Sequence, residues 1–183
     1  MSKMVAQWEL LGIIPLILVG TTMHFLFELT GYWRPMAVIA AVNESVWEHF
    51  KMVFWPGLLY ALIEYPFLKD ATTNFWGAKF LGLLTMPVVI ALLFYSYTAI
   101  TGHHNLIADG VIYILSIVAG QLVSLSLLTH AKTMPAMAQR LSVVGLLLMV
   151  AAFALFSYFP PKIFLFEDAI TGEYGILEDY HDH

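Results

Sequence analysis

Glu44, Glu48 and His49 fall within one short string, Asn43-Glu44-Ser45-Val46-Trp47-Glu48-His49-Phe50-Lys51. Oxygen and nitrogen donors this close can hold a divalent cation, and two neighbouring carboxylates can share a proton. On a helix, Glu44, Glu48 and Lys51 share a face, while His49 points roughly 100° away from Glu48. One helix cannot aim all four at a single ligand, so other segments must complete any site. Two segments offer partners. His24 and Glu28 are spaced to lie on one helical face, a usable metal-ligand pair. The turn Thr101-Gly102-His103-His104-Asn105 adds two imidazoles, and Asp109 opens the next helix.

These residues define an expected site. His24, Glu44, His49 and His103 are its candidate metal ligands, and Glu48, with Glu44, its candidate general base. Glu28, Ser45, Lys51, His104 and Asp109 are expected to support them. The donors are nitrogen and oxygen with no cysteine in the chain, which suits a divalent metal such as zinc. The chemistry expected is that of a metal-dependent hydrolase acting on a lipid or other amphipathic substrate. Three alternatives stay open: a cation or proton transporter using the paired glutamates, a haem-binding electron carrier using two of the histidines, and a non-catalytic membrane subunit.

The segments that must position these groups are apolar. Of 183 residues, 60% are hydrophobic and only 11% charged, and the mean hydropathy is +0.79. A soluble domain carries about 25% charged residues, so this composition belongs in a bilayer. The missing cysteines exclude a disulfide scaffold and a thiolate metal site, and the acidic balance argues against nucleic acid as a partner. A span needs about 20 mostly apolar residues. Five candidates, at about 10–28, 45–68, 78–100, 109–129 and 140–159, predict an all-α bundle of five transmembrane helices. The first reads as a retained span and not a signal peptide.

Between the first two spans, Pro35 suits the start of a short helix over 35–42, either re-entrant or lying at the interface. Asn43 then interrupts the chain, and Ser45-Val46-Trp47-Glu48 matches a capping box opening the second span. Lys3, Lys69, Lys79, Lys132 and Arg140 fall on the N-terminal side, against Arg34, Lys51 and Lys162 on the other. This bias predicts a cell-membrane protein with a cytoplasmic N-terminus. The tail 160–183 would then be extracytoplasmic. It holds Glu167, Asp168, Glu173, Glu178, Asp179 and Asp182 against Lys162 alone, so it accounts for the whole net charge of −5. Its section 165–176 is apolar enough to fold back as a partial lid, while His181-Asp182-His183 alternates ligand types at the end. Ser116, Gly120 and Ser124 form a stripe of small residues suited to close helix packing, with Gln121 beside it.

The string from Asn43 to Lys51, with Phe54-Trp55-Pro56, resembles the signature of a family of small bacterial and archaeal membrane proteins. The resemblance continues through Gly102-His103 to Leu165-Phe166-Glu167-Asp168 and Thr171-Gly172-Glu173-Tyr174-Gly175-Ile176. That family is one of unknown function, so the resemblance implies a multi-pass fold and no catalytic assignment.

Overall fold

The computed structural model describes residues 2–177; the acids and histidines of 178–183 lie outside the described residues. Among the described residues there are five α-helices: α1 (Ser2–Leu29), α2 (Val46–Leu68), α3 (Phe75–Thr101), α4 (Leu106–Thr129) and α5 (Ala136–Leu155). Four of them, α1, α3, α4 and α5, are long and apolar enough to cross a membrane. The fifth, α2, has 23 residues, roughly 34 Å at the helical rise, but carries Glu48, Lys51 and Glu64 among its buried residues. It packs between α1 and α3, while α4 lies against α1 and α3, and α5 against α3.

The stripe of small residues on α4 faces α3. A Cβ added at Gly120 would stand 2.7 Å from the Gly82 carbonyl oxygen, and one added at Gly82 would stand 2.8 Å from that of Gly120. Only glycine permits this approach, which lets two backbones touch where lipid gives no hydrophobic drive for association. Gln121 turns inward as well, and its amide donates to the Glu9 carbonyl at 2.8 Å.

The segment before α2 departs from its expected form. In place of a helix over 35–42 there is a 3-10 turn, Arg34–Val38, followed by irregular chain to Ser45. Competing partners explain the early stop. The Ala37 carbonyl, which a continuing α-helix would pair with the Ala41 N–H, instead accepts from the Lys51 ammonium at 2.7 Å. The Ala41 N–H goes to the Met23 carbonyl of α1 at 3.3 Å, and the Val42 N–H to Glu48 Oε2 at 3.0 Å. Ala37, Ala40, Ala41, Val42 and Asn43 are all buried, so irregular backbone survives here because protein groups satisfy it.

The capping box forms by half. Ser45 Oγ accepts the Glu48 N–H at 3.3 Å, but the Ser45 N–H is taken by Asn43 Oδ1 at 2.9 Å, which leaves the Glu48 carboxylate free to reach back to Val42. After α5 the chain returns over this break. Trp47 N–H donates to the Leu165 carbonyl at 3.0 Å, and Asn43 Nδ2 to the Gly175 carbonyl at 2.8 Å. Phe166 packs its ring 4.6 Å from that of Trp47, which also meets Phe153 at 4.8 Å.

Candidate metal centre

Three segments bring His24, Glu44 and His49 together. His24 comes from the last turns of α1, His49 from the first turn of α2, and Glu44 from the break between them. One donor atom from each lies within 4.8 Å of the other two. His24 Nε2 and His49 Nε2 each stand 3.6 Å from a different oxygen of Glu44, and the imidazole centroids are 5.5 Å apart. Ligand atoms about 2.0–2.2 Å from a shared zinc ion lie roughly 3.3–3.6 Å from one another at tetrahedral angles. The two histidine–Glu44 separations fall at the upper end of that range, and the side chains of the triad are 23–39% exposed.

Neighbouring groups orient the ligands. The nitrogen His49 Nδ1 lies 2.8 Å from the Ser45 carbonyl, which can only accept, so Nδ1 donates there and Nε2 is the ring nitrogen directed at Glu44. Metal-binding histidines are commonly held in this way. Glu44 is fixed through its backbone, whose N–H donates to Asp168 Oδ2 at 2.7 Å. Asp168 Oδ1 also accepts from the N–H groups of Ile170 and Thr171, at 2.9 and 2.7 Å, and from the Thr171 hydroxyl. Burial opposes ionisation of Asp168, but the donors from Thr171, Glu44 and Ile170 win and hold its carboxyl below the usual range.

The triad lines a cavity of about 120 Å³. Ile90, Phe94, Leu106 and Ile112 make much of its wall apolar, while His104 and Asp109 add polar groups and Ala169 brings the C-terminal segment to its rim. Asp109 is held by the Tyr97 hydroxyl, and its other oxygen lies 3.3 Å from His104 Nδ1. The Tyr97 oxygen also accepts the Asn105 N–H at 3.0 Å, tying the α3–α4 turn together.

Other residues expected at the site lie elsewhere. His103 is exposed, with Nδ1 turned 3.0 Å to the Thr101 carbonyl of its own turn, and it does not join the triad. Glu48 is 2% exposed and enclosed in a different network. Its carboxylate meets the Lys51 ammonium at 2.5 Å and accepts from the Ser157 hydroxyl at 2.8 Å and from the Val42 N–H. Lys51 donates in addition to Ser157 Oγ at 2.7 Å. Glu48 and Lys51 thus bind the break to Ser157, just after α5, and Ser45 serves as the cap of α2. Glu28 is exposed and borders a second hollow of about 130 Å³ on the other side of His24 and Glu44.

Two participants, Tyr97 and Ser157, carried no sequence expectation, and Asp168 was expected only as part of the acidic tail and its fold-back section. Ser157 is 109 positions from Glu48 and Asp168 is 124 from Glu44, so no local spacing links them. A hint existed only for Asp168, because Asp-x-x-Thr-Gly is the composition of a turn in which a carboxylate caps following amides.

Four helices long and apolar enough to cross a membrane, around a half-buried polar site, are consistent with a multi-pass membrane protein. Residues 1–176 match the model of the "Family of unknown function (DUF6512)", and the chain belongs to that family. Comparison with curated proteins and with solved structures gives no match.

Proposed function

We propose that the chain is a five-span membrane protein that binds a divalent metal, zinc in the first instance, through His24, Glu44 and His49. We further propose that it uses the ion to hydrolyse a lipid or other amphipathic molecule entering from the extracytoplasmic face. The observation that carries this reading is the triad itself, two imidazoles and a carboxylate gathered from three separate segments within 4.8 Å. Two histidines and one glutamate form a recurrent catalytic zinc set that leaves a coordination position open. The ion supplies polarisation of a carbonyl and an acidified water. The chain's own residues hold the ion, and Asp109, sharing the cavity and oriented by Tyr97 and His104, is the carboxylate placed to take a proton. Glu48 leaves that role for the buried pair with Lys51, since it is 2% exposed and does not line the cavity. The apolar wall from Ile90 to Ile112 suits the hydrocarbon part of an amphipathic substrate.

A haem reading fits less well, because the Glu44 carboxylate occupies the space beside the Nε2 atom of each imidazole, 3.6 Å from both. The excess of Lys and Arg on the N-terminal side supports a cytoplasmic N-terminus.

The test is metal content of protein purified with Zn²⁺, followed by turnover of ester- and amide-linked lipids. Wild type is expected to hold about one equivalent, lost in His24→Ala and His49→Ala and kept in His103→Ala. No bound metal in wild type would end the metal reading, and bound metal with no turnover across the lipid panel would end the hydrolase reading.

A further inference from the structure

A second polar cluster lies inside the bundle, away from the cavity. Glu9 of α1, Glu64 of α2 and Lys79 of α3 meet there, with the ammonium in contact with a carboxylate oxygen of each acid. None of the three is more than 4% exposed. Glu9 precedes His24 on α1 by 15 positions, and Glu64 follows His49 on α2 by the same number. Since α1 and α2 run in opposite directions, both separations place the cluster roughly 22 Å from the triad, toward the other end of the bundle.

The groups facing the cluster come from every helix around it. On α4, the Ser124 hydroxyl donates to Glu9 Oε1 at 3.2 Å and the Gln121 amide to the Glu9 carbonyl. On α2, the Tyr60 hydroxyl is spent on the Trp8 carbonyl at 2.6 Å, and on α3 the Lys79 ammonium lies 5.5 Å from the centre of the Phe75 ring. The ion pairs of the described residues bring no second cation to either acid. Glu9 Oε2 and Glu64 Oε2 are buried with no hydrogen-bond partner.

Two carboxylates against one ammonium leave a surplus negative charge in a place closed to water, and buried charge without a partner is strongly disfavoured. A metal ion would have to sit beside the ammonium already lodged between the acids. A proton needs no room, removes the surplus, and turns one orphaned oxygen into a donor.

We propose that Glu9, Glu64 and Lys79 form a proton-binding site, in which the two carboxyl groups share one proton at neutral pH. Its position toward the N-terminal end of the bundle, remote from the triad, makes it separate from the metal site and independent of whether that site binds metal.

Infrared spectroscopy of the full chain, with and without glutamate labelled by ¹³C at the side-chain carboxyl, reads this directly. Wild type at neutral pH is expected to show the carbonyl stretch of a protonated carboxylic acid that moves with the glutamate label. Either Glu9→Gln or Glu64→Gln should abolish the band, because each leaves one carboxylate balanced by Lys79. Conversely, Lys79→Met should raise it about twofold by forcing both acids to be neutral. Absence of a label-sensitive acid band from wild type would overturn the proposal. So would its persistence in either glutamine variant, and because the wild-type spectrum is itself decisive, a variant that fails to fold does not remove the test.

Discussion

Asp168, in the segment after α5, accepts the backbone N–H of Glu44 at 2.7 Å, joining residues 124 positions apart. Through this bond the C-terminal segment fixes the one candidate ligand that no helix carries. Glu44 lies outside regular structure, so its side chain is only as well placed as its backbone. A site built partly on irregular chain depends on such outside support.

Replacing Asp168 by Ala should therefore cost about 1–3 kcal/mol of stability, since a charged acceptor of several N–H groups is lost. It should also weaken Zn²⁺ binding about 10- to 100-fold, as loss of an orienting group does. Thermal unfolding in detergent and metal titration check the two effects. The pH dependence has a definite sign. The Asp168 carboxyl is depressed below its ordinary 3.8, so its contribution is complete above that value and is lost as pH falls through the lower folded value. Metal-free wild type should lose stability with acid below about pH 3.8 more steeply than Asp168→Asn.

Glu48 and Lys51 give a prediction of the opposite kind, with a large effect on folding and little on ligand geometry. Both are buried and each is the other's charge partner. Glu48→Gln strands the ammonium and Lys51→Met strands the carboxylate, and each should cost about 3–5 kcal/mol. The double variant Glu48→Gln/Lys51→Met should recover part of the loss. Metal content per folded molecule of Glu48→Gln should match wild type; a selective loss of metal without loss of stability would return Glu48 to the site.

The α3–α4 contact predicts a difference between two glycines of the same helix. Gly120→Ala would drive a methyl against the Gly82 carbonyl and should destabilise by about 1–3 kcal/mol. At Gly110 an added Cβ meets nothing within 4 Å, and Gly110→Ala should be neutral or stabilising by about 0.5–1 kcal/mol. Melting temperatures measured side by side decide it, and equal losses would show that α3 and α4 are not in contact at Gly120.

Tyr97→Phe removes the hydroxyl that holds Asp109 while leaving the triad untouched. Zn²⁺ content should stay at the wild-type level and lipid hydrolysis should fall about tenfold or more, the scale of a misplaced proton acceptor. Unchanged turnover would remove Asp109 from the proposed chemistry.

Much of the fold was written in the chain's composition. Apolar runs near 20 residues admit little besides helices, because backbone groups in hydrocarbon must pair within their own segment. Hence the five helices, the break at Asn43 and the cap at Ser45 were readable, as was the packing stripe on α4 from its four-residue spacing. The pairing of His24 with Glu44 and His49 was legible only as a possibility among several, since helical spacing orders residues along one helix and says nothing of its neighbour's rotation.

Tertiary structure decided the remainder. Helical geometry already turned Glu48 and His49 to different faces, and packing decided what each face meets, a buried ion pair for Glu48 and the His24–Glu44 cluster for His49. It left His103 on the surface while placing His104 and Asp109 in the cavity. It also sent Asp168 across to Glu44 and Ser157 to Glu48, contacts between segments more than 100 positions apart. Such contacts depend on how helices pack and where the chain returns, and neither is encoded in any local pattern of residues.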